Sequence, residues 1–229
     1  NIAFVQPGKQ LYIPELLMDL NDVKLTYRSA LEKKEQLSYR AQLAILYHLE
    51  INSIENTPLQ DIAPALNYSA MNVSRIVKEL EQQQLSTLHG TKEKQLIFYQ
   101  KQPEKLWLEV EPLMISPVRE VWFSDESPAE IPGFMLSNDT ALTQYSDINE
   151  GKRKSYAIGR EQFRNLLAHG RISFDPQFGR IRVEVWHYDP GLLSKKNTVD
   201  PLSLYLSMRN EEDERIKMAL DQMINDIKW

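Results

Sequence analysis

A polar run at residues 69–78 carries side chains of the types that bind DNA. An Asn amide pairs with adenine through two hydrogen bonds and an Arg guanidinium pairs with guanine, whereas Ser and Lys usually bind phosphate. The candidate DNA-binding residues of this run are Ser69, Ala70, Met71, Asn72, Ser74, Arg75 and Lys78. The apolar residues that alternate with them at helical spacing are Val73, Ile76, Val77 and Leu80. The run therefore predicts a helix with one buried side and one side free for a major groove.

A second basic segment follows at residues 89–94, between two short strand candidates at 85–88 and 95–99. The polar tip between the strands contains Gly90, so the segment predicts a β-hairpin. Side chains at such a tip are placed to contact the DNA backbone or the minor groove. The candidate DNA-binding residues of the hairpin are His89, Thr91, Lys92 and Lys94.

Two further helices are predicted before residue 69, and they would position both segments. Ser38 is a plausible N-cap for a first helix, and Thr57 with Pro58 reads as the cap and first residue of a second helix. Residues 67–68 then form a turn, and Ser69 caps the third helix. Helix, helix, tight turn, helix and hairpin is the order of a winged helix-turn-helix, which we predict for residues 38–102.

An alternative for this region is a protein-docking module, because small three-helix units with a hairpin also bind proteins. Residues 38–100 hold five basic and six acidic side chains. That balance is weak for a DNA-binding unit, since phosphate neutralisation supplies most non-specific affinity. A dimer with two copies of the unit, or basic residues from elsewhere in the chain, would compensate.

Several segments of the helical region resemble the winged helix of MarR-like transcriptional regulators. The segments that carry the resemblance are Leu59-Gln60-Asp61-Ile62-Ala63, Asn67-Tyr68-Ser69-Ala70-Met71-Asn72-Val73-Ser74-Arg75 and Lys78-Glu79-Leu80, within residues 38–100. The resemblance implies a sequence-specific DNA-binding transcriptional regulator with double-stranded DNA as its partner, acting as a homodimer. The layout of a winged domain followed by a long C-terminal region is also similar to AbiEi-type antitoxins, which implies the alternative of a repressor whose C-terminal domain binds a toxin.

The remainder of the chain predicts an α+β protein overall, with three regions. Residues 1–37 form an N-terminal extension with a strand near residues 2–5 and a polar helix over 27–36. Residues 103–229 predict a mixed α/β domain that supplies dimer contacts or binds a partner protein. In it, residues 180–188 alternate as a strand with one apolar face, and residues 211–227 predict a last helix with an acidic first turn.

A search for catalytic groups favours no enzyme, and we expect no catalytic residue, no cofactor and no metal site. Phosphate-loop, nucleophile-elbow and zinc-protease motifs are missing, and the four His lack ligand spacing. A metal-dependent nuclease is the remaining alternative, because acidic side chains surround the predicted strand: Asp175, Glu184, Asp189 and Asp200. Such nucleases usually carry a Lys two residues after the strand Glu, but Trp186 stands there.

Composition excludes several other classes of protein. The 229 residues are 42% hydrophobic and 26% charged, which is typical of a folded domain, and they include no Cys for a disulfide or thiolate site. No apolar run is long enough to span a membrane and no secretory signal is visible, so we expect a cytoplasmic protein without membrane contact. The net charge is −5, but residues 103–150 are strongly acidic and residues 152–182 strongly basic, so these two blocks are expected to pair.

Overall fold

The structure, a computed structural model, describes three N-terminal strands and residues 35–229 except 92, 130, 171 and 195. The chain divides into two compact units, Asn1–Glu35 and Gln36–Trp229. The strands of the first unit are β1 (Phe4–Gln6), β2 (Gln10–Ile13) and β3 (Met18–Asp19), and they pair antiparallel in that order. Of the helix predicted over 27–36, only residues 35 and 36 are described, and they are not helical.

Three helices and a two-stranded hairpin open the second unit. They are α1 (Tyr39–Glu50), α2 (Leu59–Ala65), α3 (Ala70–Gln82), β4 (Ser86–His89) and β5 (Gln95–Phe98). The predicted serine caps are present: the Ser38 hydroxyl accepts a hydrogen bond from the Ala41 amide, and the Ser69 hydroxyl accepts one from the Asn72 amide. The second helix starts one residue later than predicted, with Pro58 rather than Thr57 at its cap.

The C-terminal region adds a four-stranded sheet and five helices. Its elements are α4 (Pro103–Val110), β6 (Val118–Ser124), β7 (Met135–Leu136), α5 (Asn138–Leu142), β8 (Ser155–Gly159), α6 (Arg160–His169), β9 (Ile181–Trp186), α7 (Pro201–Met208) and α8 (Glu214–Asn225). The strand order is β6-β9-β8-β7, with β8 and β9 parallel and the outer pairs antiparallel. The whole is an α+β fold. No helix in the described part has both the length and the apolar character that crossing a bilayer requires.

Strand β9 departs from its predicted pattern, because both of its faces are buried. Val183 and Val185 pack into a small core against α6, while Trp186 belongs to the larger core on the other side of the sheet. Glu184, predicted on the same face as Trp186, is 1% exposed. The central position of β9, with a strand on each side and a hydrophobic core on each face, explains this burial.

The last helix is shorter than predicted. It begins at Glu214 because the Asp213 carboxylate accepts a hydrogen bond from the Arg215 amide and thereby caps it. Residues 211–212 therefore precede the helix rather than forming its acidic first turn. Its buried residues are Ala219, Leu220 and Met223.

Helix α1 lies at the centre of the larger core. All six residues 41–46 are buried, so this helix faces other elements on every side over nearly two turns. The same core contains buried residues of α3, α4, α7 and α8, and it extends across the predicted boundary at residue 102. The buried Gln42 side chain strengthens the connection: its amide donates to the Ile115 carbonyl at 2.9 Å, and its carbonyl accepts from the Ile115 amide at 3.0 Å.

Candidate functional site

The exposed side of α3 contains the residues that the sequence singled out. Ser69, Ala70, Met71, Ser74, Arg75 and Lys78 are exposed, and Asn72 is half-buried. The opposite side of the helix is buried through Val73, Ile76, Val77 and Leu80. Helix α3 is therefore amphipathic in the predicted sense, with a polar face available to a partner.

A tight turn fixes the direction in which α3 leaves α2. Asn67 adopts a left-handed backbone conformation with φ of 53°, which Asn tolerates better than most residues. The Tyr68 amide donates back to the Ala63 carbonyl at 2.9 Å and closes the turn. The chain then extends at Ser69 and begins α3, so the N-terminal end of the exposed face lies directly after the turn.

Hydrogen bonds of two acidic side chains hold α3 against its neighbours. The Glu79 carboxylate accepts from the Ser38 amide at 2.6 Å and from the Ser38 hydroxyl at 2.7 Å, which joins α3 to the start of α1. The Glu81 carboxylate accepts from the Leu88 amide at 3.2 Å, which joins α3 to β4. Both carboxylates are thus committed to the scaffold.

The cations of the exposed face are not neutralised locally. Within the described residues, neither Arg75 nor Lys78 forms an ion pair with an acidic side chain. Arg75 and Lys78 are therefore available to an external anion, in spite of the acidic balance of residues 38–100.

The hairpin presents its tip at the end of β4 and β5. The two strands pair in register from Ser86 with Phe98 to His89 with Gln95. Gly90 has a φ of 94°, and a side chain there would collide with the Glu93 carbonyl oxygen, so the tip requires glycine. The predicted tip residues His89, Thr91 and Lys94 are exposed, and Lys92 lies outside the described residues.

The four carboxylates of the nuclease alternative do not act together. Asp175 is exposed and accepts hydrogen bonds from the Gln177 and Phe178 amides, which lower its pKa. Glu184 pairs with Arg182 at 3.1 Å, while Asp189 accepts from the Gln162 amide. In the described part of the chain, no three His, Asp or Glu side chains are grouped as a metal site would require.

Asp200 instead is buried and pairs with a half-buried acid, Glu50, a pair that the sequence did not single out. Its carboxylate caps α7 by accepting from the Ser203 amide at 2.7 Å, and it interacts with the Glu50 carboxyl of α1. Burial raises the pKa of Asp200 to about 6. The pair borders a cavity of about 390 Å³ whose wall includes Tyr145 and Met223. A cap signal was visible in the sequence, but the partner on α1, 150 residues away, was not.

Replacing Asp200 by Asn should change how stability depends on pH. Because the native pKa is raised, the folded protein holds this proton more tightly than the unfolded chain between about pH 4 and pH 6. Its contribution to the free energy of unfolding therefore falls as the pH rises through that interval. Asn keeps a carbonyl that caps α7 and does not titrate, so the variant should gain about 1–3 kcal/mol relative to wild type between pH 4.5 and pH 7.

Urea denaturation of both proteins at several pH values measures this difference, and titrations common to both cancel from it. Parallel stability curves for Asp200→Asn and wild type would contradict the raised pKa. Asp226→Asn provides the control for the loss of one negative charge beside the same cavity, because Asp226 is an exposed acidic residue on its wall.

The acidic and basic blocks are joined less than the sequence predicts. Among the described residues, one ion pair connects them, between Arg180 and Asp125 at 3.5 Å. Arg153 instead lies over the Phe123 ring, and Arg182 pairs with Glu184 of its own strand. The basic residues of 152–182 therefore occupy several separate places, and Arg171 lies outside the described residues.

The exposed face of α3 and the hairpin tip together form the candidate site, connected through the Glu81–Leu88 hydrogen bond. No protein-family model, no curated protein and no solved structure matches the chain. The function is therefore inferred from the arrangement of these side chains.

Proposed function

We propose that the chain is a sequence-specific DNA-binding transcriptional regulator in which residues 38–102 act as a winged helix-turn-helix. Helix α3 would enter the major groove and the hairpin tip would contact the flanking backbone. The observation that carries the proposal is the exposed polar face of α3, which follows a tight turn from α2 and contains Asn72 and Arg75 opposite a fully buried stripe. The resemblance to MarR-like regulators points to the same function.

The side-chain chemistry of this face suits base recognition. Asn72 and Arg75 are one helical turn apart, so both can reach the same groove, where they would pair with adenine and guanine. Ala70 and Met71 are exposed and apolar, which suits contact with a thymine methyl group. Ser69, Ser74 and Lys78 would hold the phosphates on either side.

A homodimer would supply the positive charge that one copy lacks. Two-fold symmetry would place two α3 helices about 34 Å apart, one turn of DNA, and would double the number of cations on the duplex. In this proposal the C-terminal region provides the dimer contacts.

The first experiment selects DNA sequences from a randomised duplex pool with the full chain and then measures affinity by fluorescence anisotropy. We expect enrichment of a sequence with two half-sites and specific binding at least about a thousandfold tighter than binding to random DNA. A pool that shows no enrichment, together with no salt-dependent binding to random DNA, would leave the docking-module alternative.

Alanine at both Lys92 and Lys94 tests the role of the hairpin. We expect weaker binding to specific and random DNA alike, and a slope of log K against log[salt] that is flatter by up to about 2, because phosphate contacts release counterions without reading sequence. The control is Lys152→Ala with Lys154→Ala, which removes the same charge from an exposed segment that is not part of the hairpin. An unchanged slope in the hairpin variant would show that its tip does not meet phosphate.

A further inference from the structure

A polar cleft of about 620 Å³ lies beside the α2–α3 turn. Its lining includes Arg40 at the start of α1, Asn67 in the turn, and Arg160 and Arg164 on the first two turns of α6. Arg40 lies more than a hundred residues before Arg160 and Arg164 in sequence, and the fold brings all three to one cavity. Guanidinium groups that converge in this way suit phosphate, which they bind through paired hydrogen bonds.

The arginines of the cleft have no acidic partner in the part of the chain that the structure describes. Within the described residues, none of Arg40, Arg160 and Arg164 forms an ion pair. Arg40 and Arg164 are exposed and Arg160 is half-buried, so their donors are accessible from solvent. An anion that enters the cleft can therefore bind these three cations without first displacing an acidic side chain of the described structure.

The positive charge of the arginines affects the pKa of two side chains that line the cleft. Burial lowers the pKa of His187, and the nearby Arg119 and Arg160 lower it further. Burial raises the pKa of Tyr68, and Arg40 opposes that rise. Both neighbours line the cleft, so its arginines act on the interior of the cavity.

The acidic side chains that line the cleft do not cancel this charge. Asp189 accepts hydrogen bonds from the Gln162 side chain at 2.7 Å and from the Gly191 amide at 2.9 Å, so it is bound within the scaffold. Glu161 is exposed on the first turn of α6. With these two carboxylates counted against the three arginines, the lining keeps a net positive charge.

We propose that this cleft binds phosphates of the DNA backbone next to the base pairs that α3 reads. The inference rests on the proposed function and extends it, because it gives α6 of the C-terminal region a direct part in DNA binding. The position of the cleft supports a backbone phosphate: its wall includes Asn67 and Tyr68, which immediately precede the exposed face of α3. A duplex that lies along α3 continues past this turn.

The experiment compares the full-length variant Arg160→Gln/Arg164→Gln with wild type in binding to the selected DNA and to random DNA. We expect affinity for both to fall roughly tenfold at moderate salt, and the slope of log K against log[salt] to flatten by about 2. Arg40→Gln should flatten the slope by about 1. The matched control, Lys152→Gln/Lys154→Gln, removes two charges from the same basic block outside the cleft and should behave as wild type.

Three measurements separate the possible outcomes. Thermal unfolding shows whether the variants fold, and we expect melting temperatures near that of wild type because none of these arginines forms an ion pair with another described residue. Ethylation interference should identify phosphates whose ethylation weakens DNA binding by wild type. Ethylation of the same phosphates should not weaken binding by Arg160→Gln/Arg164→Gln. Titration of wild type with inorganic phosphate and with ATP tests whether the cleft binds a free phosphate compound instead of DNA.

The proposal is overturned if wild type binds DNA and the α3 variants weaken that binding while Arg160→Gln/Arg164→Gln leaves affinity and slope unchanged. It is also overturned if ATP or inorganic phosphate binds the cleft at micromolar concentration and DNA binding does not depend on the arginines. Failure of the proposed function itself looks different, because wild type would then bind no DNA under any condition.

Discussion

We expect the double variant Asn72→Ala/Arg75→Ala to lose about 2–6 kcal/mol of specific DNA-binding free energy, which is the sum of about 1–3 kcal/mol for each lost base contact. The sequence preference should relax at the two base positions that these side chains read. Binding to random DNA should fall much less, because only Arg75 contributes a charge to it. Competition binding against operators with single base changes measures both effects.

Fold stability provides the control for this variant. Both side chains lie off the buried stripe of α3, and no hydrogen bond to either side chain holds the described structure together. The free energy of unfolding should therefore stay within about 0.5 kcal/mol of wild type. If Asn72→Ala and Arg75→Ala each bind the selected DNA as wild type does, α3 is not the reading helix.

The second large effect concerns stability. Arg182→Met should lower the free energy of unfolding by about 2–4 kcal/mol, because it leaves the Glu184 carboxylate buried without its cation. Glu184 is 1% exposed, and its other partners are the Asn138 amide at 3.3 Å and the Trp186 indole at 3.2 Å. Denaturation by urea at pH 7 measures the loss.

A compensating change distinguishes an unpaired charge from lost packing. Arg182→Met/Glu184→Gln removes the charge and keeps one carbonyl oxygen, which can accept from either the Asn138 amide or the Trp186 indole, so part of the lost stability should return. Equal destabilisation of the single and double variants would show that the methylene chain of Arg182, not its charge, matters. The same double variant should bind DNA as wild type does, since this ion pair lies in the β9 strand rather than on α3.

The local signals of the sequence predicted the helical region closely. Ser38 and Ser69 were identified as caps because their side chains satisfy amides within three residues, a short-range interaction that the sequence alone specifies. The stripe of α3 was likewise predictable, because helical spacing and apolar character coincide at Val73 and Val77. The hairpin was predicted within one residue at each strand.

Features that depend on distant contacts were not predictable in the same way. Alternation along β9 predicted which residues share a face, but the burial of the face with Glu184 depends on which elements cover the sheet. The Glu50–Asp200 pair and the cleft with Arg40 and Arg164 join residues more than a hundred positions apart. The count of charges along the sequence assigned Arg160 to the basic block at residues 152–182. It did not predict that Arg160 lines a cleft with Arg40, because that proximity depends on the tertiary fold.

The burial of residues 41–46 of α1 on every side limits how this protein can evolve. A DNA-binding unit that meets the rest of its chain through a surface patch can be exchanged between genes, because each part keeps its own core. Here the apolar residues of 41–46 belong to one hydrophobic core with residues on both sides of residue 102. The Gln42 side chain also forms two hydrogen bonds with the backbone of Ile115. A gene encoding residues 36–102 alone would leave α1 with an apolar side in water. The helical region before residue 102 and the C-terminal region are therefore expected to be inherited together. A change in a core-facing residue of α1 should be matched by a change in the C-terminal region.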